Sequence, residues 1–219
     1  MDSPISQIAA IARVALICAG FALVHSVTVT DRAKAWAVRA FGPEAVRGWY
    51  RLAYTLLSLA TLGLCAWLIS LVPDVLLYAL QPWLAIALRV VQLGAVVFAA
   101  WSFRGFDGRE FTGVSQAVRR MRGQPVGGDV EGLSFSSTLV STGGYGLVRH
   151  PLYLAGILIF MASPSYTRTW LVIRALGVAY FVWGAWVEDR RMLARHGDEY
   201  ARYMAGVPML IPRISSKQR

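Results

Sequence analysis

Arg149-His150-Pro151 and the acidic pair Glu188-Asp189 stand at opposite ends of a stretch that is otherwise largely apolar. Gly144, Tyr145, Gly146 and Tyr153 surround the first group, and Gly197, Tyr200, Tyr203 and Pro208 follow the second. Pro151 suits the first turn of a helix, where its missing N–H costs nothing, and a helix start favours anions. Arg149, His150 and free backbone N–H groups can together hold a carboxylate or phosphate, with Gly143, Gly144 and Gly146 letting the chain come close. The carboxylates of Glu188 and Asp189 border an apolar run and need a cationic partner, which either Arg149 or a ligand ammonium can supply. One molecule bearing both an ammonium and a carboxylate satisfies both protein groups, so the spacing points to an amino-acid-like cofactor. The same residues also admit plainer roles: Arg149 as a charged membrane anchor, His150 as a helix-start residue, and Asp189 paired with Arg190 or Arg191 on a solvated helix.

The elements that must position these groups are membrane helices. With 56% hydrophobic and 16% charged residues in 219, the chain is too apolar for an ordinary soluble domain. A helical crossing takes roughly 20 apolar residues, and such runs lie near residues 5–25, 52–72, 83–103 and 169–187. A fifth, 151–163, ends at Pro164; it can cross by thinning the bilayer, extend through the Ser-Pro-Ser turn, or lie against a neighbour. The sequence therefore predicts an all-α polytopic membrane protein of about five transmembrane helices, forming one domain over residues 1–219. It adds a cytoplasmic loop at 104–150 and a cytoplasmic C-terminal helix.

The formal charge of +10 raises the possibility of nucleic acid, but topology accounts for it better, and no nucleic-acid partner is expected. Segments 26–51, 104–150 and 188–219 hold 5, 6 and 7 Lys or Arg residues, whereas 73–81 holds none. The positive-inside rule makes all three cytoplasmic. Five crossings then put the N-terminus outside and the C-terminus inside the cell's inner membrane. The first apolar run has no basic flank before it and no small-residue cleavage site after it, so it reads as a retained helix. Cys18 and Cys65 fall inside crossings, where cysteine packs as a small apolar side chain; without Cys-x-x-Cys spacing, no metal site is expected.

Between the crossings, residues 27–51 mix basic residues with Trp36, Val38, Phe41 and Trp49, as in an interfacial amphipathic helix broken at Gly42-Pro43. In the 104–150 loop, Gly127-Gly128 divides a basic part, with Arg119, Arg120 and Arg122, from a Ser/Thr/Gly part. Residues 188–204 continue as a helix weakened at Gly197, and the prolines at 208 and 212 keep the tail extended.

The motif Gly-x-Tyr-x-x-x-Arg-His-Pro-x-Tyr-x-x-Gly over residues 143–156, allowing for the glycine doublet, is followed by an acidic pair and a Gly-x-x-Tyr-x-x-Tyr-x-x-x-Val-Pro run. Together they resemble the isoprenylcysteine carboxyl methyltransferase and phospholipid methyltransferase group, which uses S-adenosylmethionine. In the N-terminal half, Val24-His25-Ser26 and Trp49-Tyr50-Arg51-Leu52-Ala53-Tyr54 are similar to the methanethiol S-methyltransferase family and to membrane proteins of nitric oxide reductase gene clusters. The tail Val207-Pro208-Met209-Leu210-Ile211-Pro212 is also similar to the methanethiol enzymes. The chain departs from the pattern in carrying Glu-Asp for Glu-Glu and His196 for Phe.

The resemblance implies an S-adenosylmethionine site at Tyr145, Gly146, Arg149, His150, Tyr153, Glu188, Asp189 and Tyr200. Glu188 would bind the cofactor's amino-acid end or orient Arg149, and Arg149 and Glu188 would serve catalysis. His25 and Ser26 would face a small thiol. An isoprenylcysteine carboxylate or a phospholipid amine are alternative acceptors. Beyond the acceptor and membrane lipid, no obligate protein partner is expected. A different class stays open: His25 and His150, both at cytoplasmic helix ends, could ligate haem iron as in a membrane isomerase.

Overall fold

The computed structural model describes residues 3–126 and 139–213. In chain order its helices are α1 (Pro4–Thr28), α2 (Asp31–Phe41), α3 (Pro43–Ser70), α4 (Pro82–Phe103), α5 (Gly108–Thr112), α6 (Val114–Met121), α7 (Gly144–Leu147), α8 (Pro151–Met161), α9 (Arg168–His196) and α10 (Asp198–Gly206). Two short strands, β1 (Leu76–Ala79) and β2 (Ser165–Thr167), complete it. The fold is that of an all-α polytopic membrane protein.

Four helices, α1, α3, α4 and α9, are long and apolar enough to cross a membrane. At 1.5 Å per residue, the 22 residues of α4 reach the roughly 30 Å of a hydrocarbon core. The 11 residues of α8 reach only about half that. Of the fates open to this fifth apolar run, the structure combines the last two: α8 packs against α4 and α9, and the chain continues through the Ser-Pro-Ser turn into β2, which pairs with β1 between α3 and α4.

Proline opens α1, α3, α4 and α8 at a position where a free N–H is not needed. Side chains of Ser3, Thr30 and Thr167 accept from backbone N–H groups at the starts of α1, α2 and α9. The break expected at Gly42-Pro43 is there, but the residues after it join the crossing directly, since α3 begins at Pro43. Gly197, at φ +53°, ends α9 in a region that disfavours residues with a Cβ.

Contacts divide the chain into two units. The first comprises Met1–Pro73 and Phe106–Ser137. Here α1, α2 and α6 pack on α3, the Tyr50 hydroxyl donates to Thr28 O at 2.7 Å, and Arg51 Nε donates to Phe111 O at 2.9 Å. The basic part of the 104–150 loop is thus organised as α5 and α6, while Gly127-Gly128 and the Ser/Thr/Gly part as far as residue 138 lie outside the described residues.

The second unit comprises Asp74–Gly105 and Thr138–Arg219. Its core is the α4–α8–α9 stack, where the Phe181 ring lies over Gly156 and the Phe160 ring over Gly177. Small residues let helices approach where lipid gives no hydrophobic drive for association. The antiparallel β1–β2 pair was not foreseen; its residues are mostly exposed and too few to carry a pattern. Asp74 Oδ1 beside it accepts from Thr169 N at 2.9 Å, placing a carboxylate at the positive end of α9.

Apolar side chains along the crossings face outward, Leu16 at 72% and Ile86 at 66% exposure among them. That is the surface a bilayer covers, and the interior is correspondingly small, with Val14, Val148 and Pro151 its largest fully enclosed side chains.

Candidate functional site

Arg149 and His150 sit between α7 and α8, with His150 as the residue capping α8. Their backbone N–H groups are not open to a ligand. Arg149 N donates to Pro208 O at 2.8 Å and His150 N to Met209 O at 3.2 Å, so the C-terminal tail lies along this segment.

Asp189 projects from α9 into the same place and is almost wholly consumed by the protein. Its Oδ1 accepts from Arg149 Nε at 3.1 Å, His150 Nε2 at 2.8 Å and the Tyr200 hydroxyl at 2.6 Å; its Oδ2 accepts from an Arg149 terminal nitrogen at 2.6 Å. The other terminal nitrogen of Arg149 donates to Met204 O at 3.2 Å and Val207 O at 2.6 Å. A bidentate Arg–carboxylate pair with every guanidinium nitrogen engaged is a positioned clamp. It ties the start of α8, the last turns of α9, α10 and the tail into one knot.

The arginine's carboxylate partner is therefore Asp189. Glu188 makes no contact with Arg149 among the described ion pairs; one of its oxygens lies 3.6 Å from His150 Nδ1. Adjacent helical residues point roughly 100° apart, so only one of the two acids can face Arg149. The other is left more open: the Glu188 side chain is 36% exposed against 7% for Asp189.

Near Glu188, the His150 ring stacks on Tyr153, with centroids 5.6 Å apart and planes at 13°. Gly184, one turn before Glu188, faces the Tyr153 ring at 3.8 Å from where its Cβ would stand. Burial and then the Glu188 charge push the Tyr145 hydroxyl well above the usual phenol range, so it stays neutral. Burial alone would lower the His150 pKa, but its bonds to Asp189 and Glu188 outweigh that and raise it above the ordinary value. Tyr203, pushed up to about 12 chiefly by burial, donates to Tyr145 O at 2.6 Å and fixes α7 to α10.

The second unit thus brings together Tyr145, Arg149, His150, Tyr153, Glu188, Asp189 and Tyr200. Gly146 lies in α7 with its surface exposed. What the sequence did not reveal is the use of the Met204, Val207, Pro208 and Met209 carbonyls, because backbone acceptors leave no mark in residue type.

His25 and Ser26 belong to the first unit, in the last turns of α1. The ring nitrogens of His25 lie 2.9 Å from the Tyr54 hydroxyl and 3.2 Å from the Ser58 hydroxyl, and its ring stacks on Phe21 with centroids 5.6 Å apart. Ser58 is a further residue that sequence reasoning missed; it stands one helical turn beyond Tyr54, a spacing that places both on one face.

The chain is similar to proteins named methanethiol S-methyltransferase. To form 2 of Bradyrhizobium diazoefficiens it is 32% identical, over 93% of this chain and 74% of the relative. To form 1 of the same organism it is 30% identical, over 90% and 65%. To the Mycobacterium tuberculosis protein it is 30% identical, over 88% and 74%. No solved structure matches. The NnrU protein family model matches residues 13–162. That match covers well over half of the sequence, and the chain belongs to the NnrU protein family.

Proposed function

We propose that this protein is a membrane methyltransferase that moves a methyl group from S-adenosylmethionine to a small thiol, at the cytoplasmic face of the inner membrane. The observation that carries this reading is the unequal use of the acidic pair: Asp189 is saturated by Arg149, His150 and Tyr200, while Glu188 keeps an open side next to His150 and aromatic rings. The similarity to methanethiol S-methyltransferases supports the reaction class. The distribution of Lys and Arg supports a cytoplasmic C-terminus and an external N-terminus.

The donor set suits this cofactor. Glu188 offers a carboxylate to an ammonium, His150, its pKa raised by its carboxylate neighbours, offers a ring N–H to a carboxylate, and the faces of Tyr145 and Tyr153 suit a sulfonium. When bound, S-adenosylmethionine supplies a methyl group activated by its positive sulfur. Arg149, with its donors spent inside the protein, acts as a positioning residue, as do Asp189 and Tyr200. Gly146 gives the α7 segment its open surface. The chain need only hold the partners in line and exclude water, since no protein nucleophile is required. A thiol acceptor loses its proton as its sulfur takes the methyl group, and cations nearby favour the thiolate. For the acceptor, we propose His25 and Ser26 on the strength of the first unit's own His25–Tyr54–Ser58 cluster.

Titration calorimetry of the detergent-purified protein with S-adenosylmethionine tests the cofactor, and headspace detection of dimethyl sulfide from methanethiol tests the acceptor. Absence of binding by folded protein overturns the reading. Binding without thiol turnover redirects it to an isoprenylcysteine carboxylate or a phospholipid amine. The haem reading fits the side chains poorly. Both ring nitrogens of His150 face carboxylates, and both nitrogens of His25 have hydroxyl neighbours, so neither ring turns a free nitrogen towards an iron.

A further inference from the structure

In the first unit, α5 and α6 form a cleft of about 260 Å³ lined by Arg109, Arg119, Arg122, Ser115 and Gln124 over an apolar floor of Val114 and Val118. It takes no part in the site proposed above. Basic residues in the last turn of α6 complement the helix's negative end, which accounts for Arg119 and Arg120. It does not account for three arginines lining one cleft. Arg119 pairs with Glu110, but Arg109 and Arg122 have no carboxylate partner among the described residues. Among the described residues the lining therefore carries more positive charge than its carboxylate partners offset, beside aliphatic side chains.

The position of the cleft decides what would fill it. Helix α6 crosses α3 closely: a Cβ at Gly48 would lie 2.8 Å from Arg120 Cβ. The turn before it, Gly113 at φ +88°, rests on the backbone of Arg51 and Leu52, where a side chain would collide. Leu52 is where the apolar run of α3 begins. The cleft is thus held against α3 near the start of its apolar run, and its lining combines apolar residues with hydrogen-bond donors.

We propose that this cleft binds the phosphate of an anionic phospholipid headgroup. Arg109 and Arg122 would supply charge-assisted hydrogen bonds, Ser115 and Gln124 neutral ones, and Val114 and Val118 contact with the glycerol and first acyl carbons.

The test uses full-length protein in nanodiscs or detergent, with phosphatidylglycerol, phosphatidylcholine and inorganic phosphate as separate probes. Lipid retention by native mass spectrometry and the melting temperature are both read. The wild type is expected to retain phosphatidylglycerol in preference to phosphatidylcholine and to melt higher with it. The double variant Arg109→Gln/Arg122→Gln should lose that preference, with apparent affinity down on the order of tenfold or more. Arg32→Gln/Arg39→Gln, which removes equal charge from exposed positions on α2, should retain it. Equal retention of both lipids, equal losses in the two double variants, or a shift by inorganic phosphate as large as that by phosphatidylglycerol would each overturn the proposal. Far-ultraviolet circular dichroism confirms that the variants are folded. S-adenosylmethionine binding, which this inference does not need, is measured alongside.

Discussion

His150 and His25 both stand at the ends of apolar helices, yet their neighbours differ in kind. His150 caps α8 with two carboxylates against its ring, Asp189 at 2.8 Å and Glu188 at 3.6 Å. His25 lies in the last turns of α1 with the Tyr54 and Ser58 hydroxyl groups against its ring. The first environment favours the charged form of its ring; the second offers hydroxyl groups that can orient a small polar molecule. The difference teaches that a histidine at a membrane boundary is defined by what reaches it from elsewhere in the chain. For His150 the decisive residue is 39 positions away, and for His25 it comes from the next crossing helix.

The largest effect is expected from Asp189→Ala. It removes the counter-charge of the partly buried Arg149 and the buried His150 together, and breaking a buried ion pair typically costs about 3–5 kcal/mol. Thermal denaturation in detergent should show a large loss, with cofactor binding abolished. A mild effect would mean that the knot is loosely held and that the contrast with His25 is overstated. Glu188→Gln should lower cofactor affinity by about 1.5–3 kcal/mol with a small change in melting temperature. An unchanged calorimetric affinity would return Glu188 to a purely structural role.

The pH dependence separates the two histidines further. The folded pKa of His150 is raised, so its contribution to stability is complete below the unfolded value of about 6.5 and is lost as pH rises through the higher folded value. Melting temperature should fall across that interval, and His150→Gln should flatten the profile. An equally steep profile in the variant would assign the titration elsewhere. Smallest is Tyr54→Phe, which removes one hydrogen bond to His25 and should cost about 0.5–1.5 kcal/mol. It should leave cofactor affinity unchanged while altering the KM for thiol; a loss of cofactor affinity would break the distinction between the two regions.

Much of the fold was legible because its signals are local. The crossings announce themselves by apolar length, and Pro151 announces the start of α8, since proline suits a first helical turn. Gly197 was legible only as a weak point in a continuing helix; the structure breaks the helix there into α9 and α10, because a φ of +53° favours glycine. The β1–β2 pair was not legible, since its few exposed residues carry no burial pattern to read.

The same division runs through the candidate site. Sequence alone determined which residue types gather at the ends of α8 and α9, because the apolar runs place them there. It could not decide which acid takes Arg149, because that depends on the rotational phase of α9 against α8. Only the tertiary structure decided that Asp189 is spent on Arg149, His150 and Tyr200, that Glu188 is left open, and that the tail's carbonyls complete the clamp. Residue type fixes what a side chain can do; which partner it meets depends on packing between segments far apart in the chain.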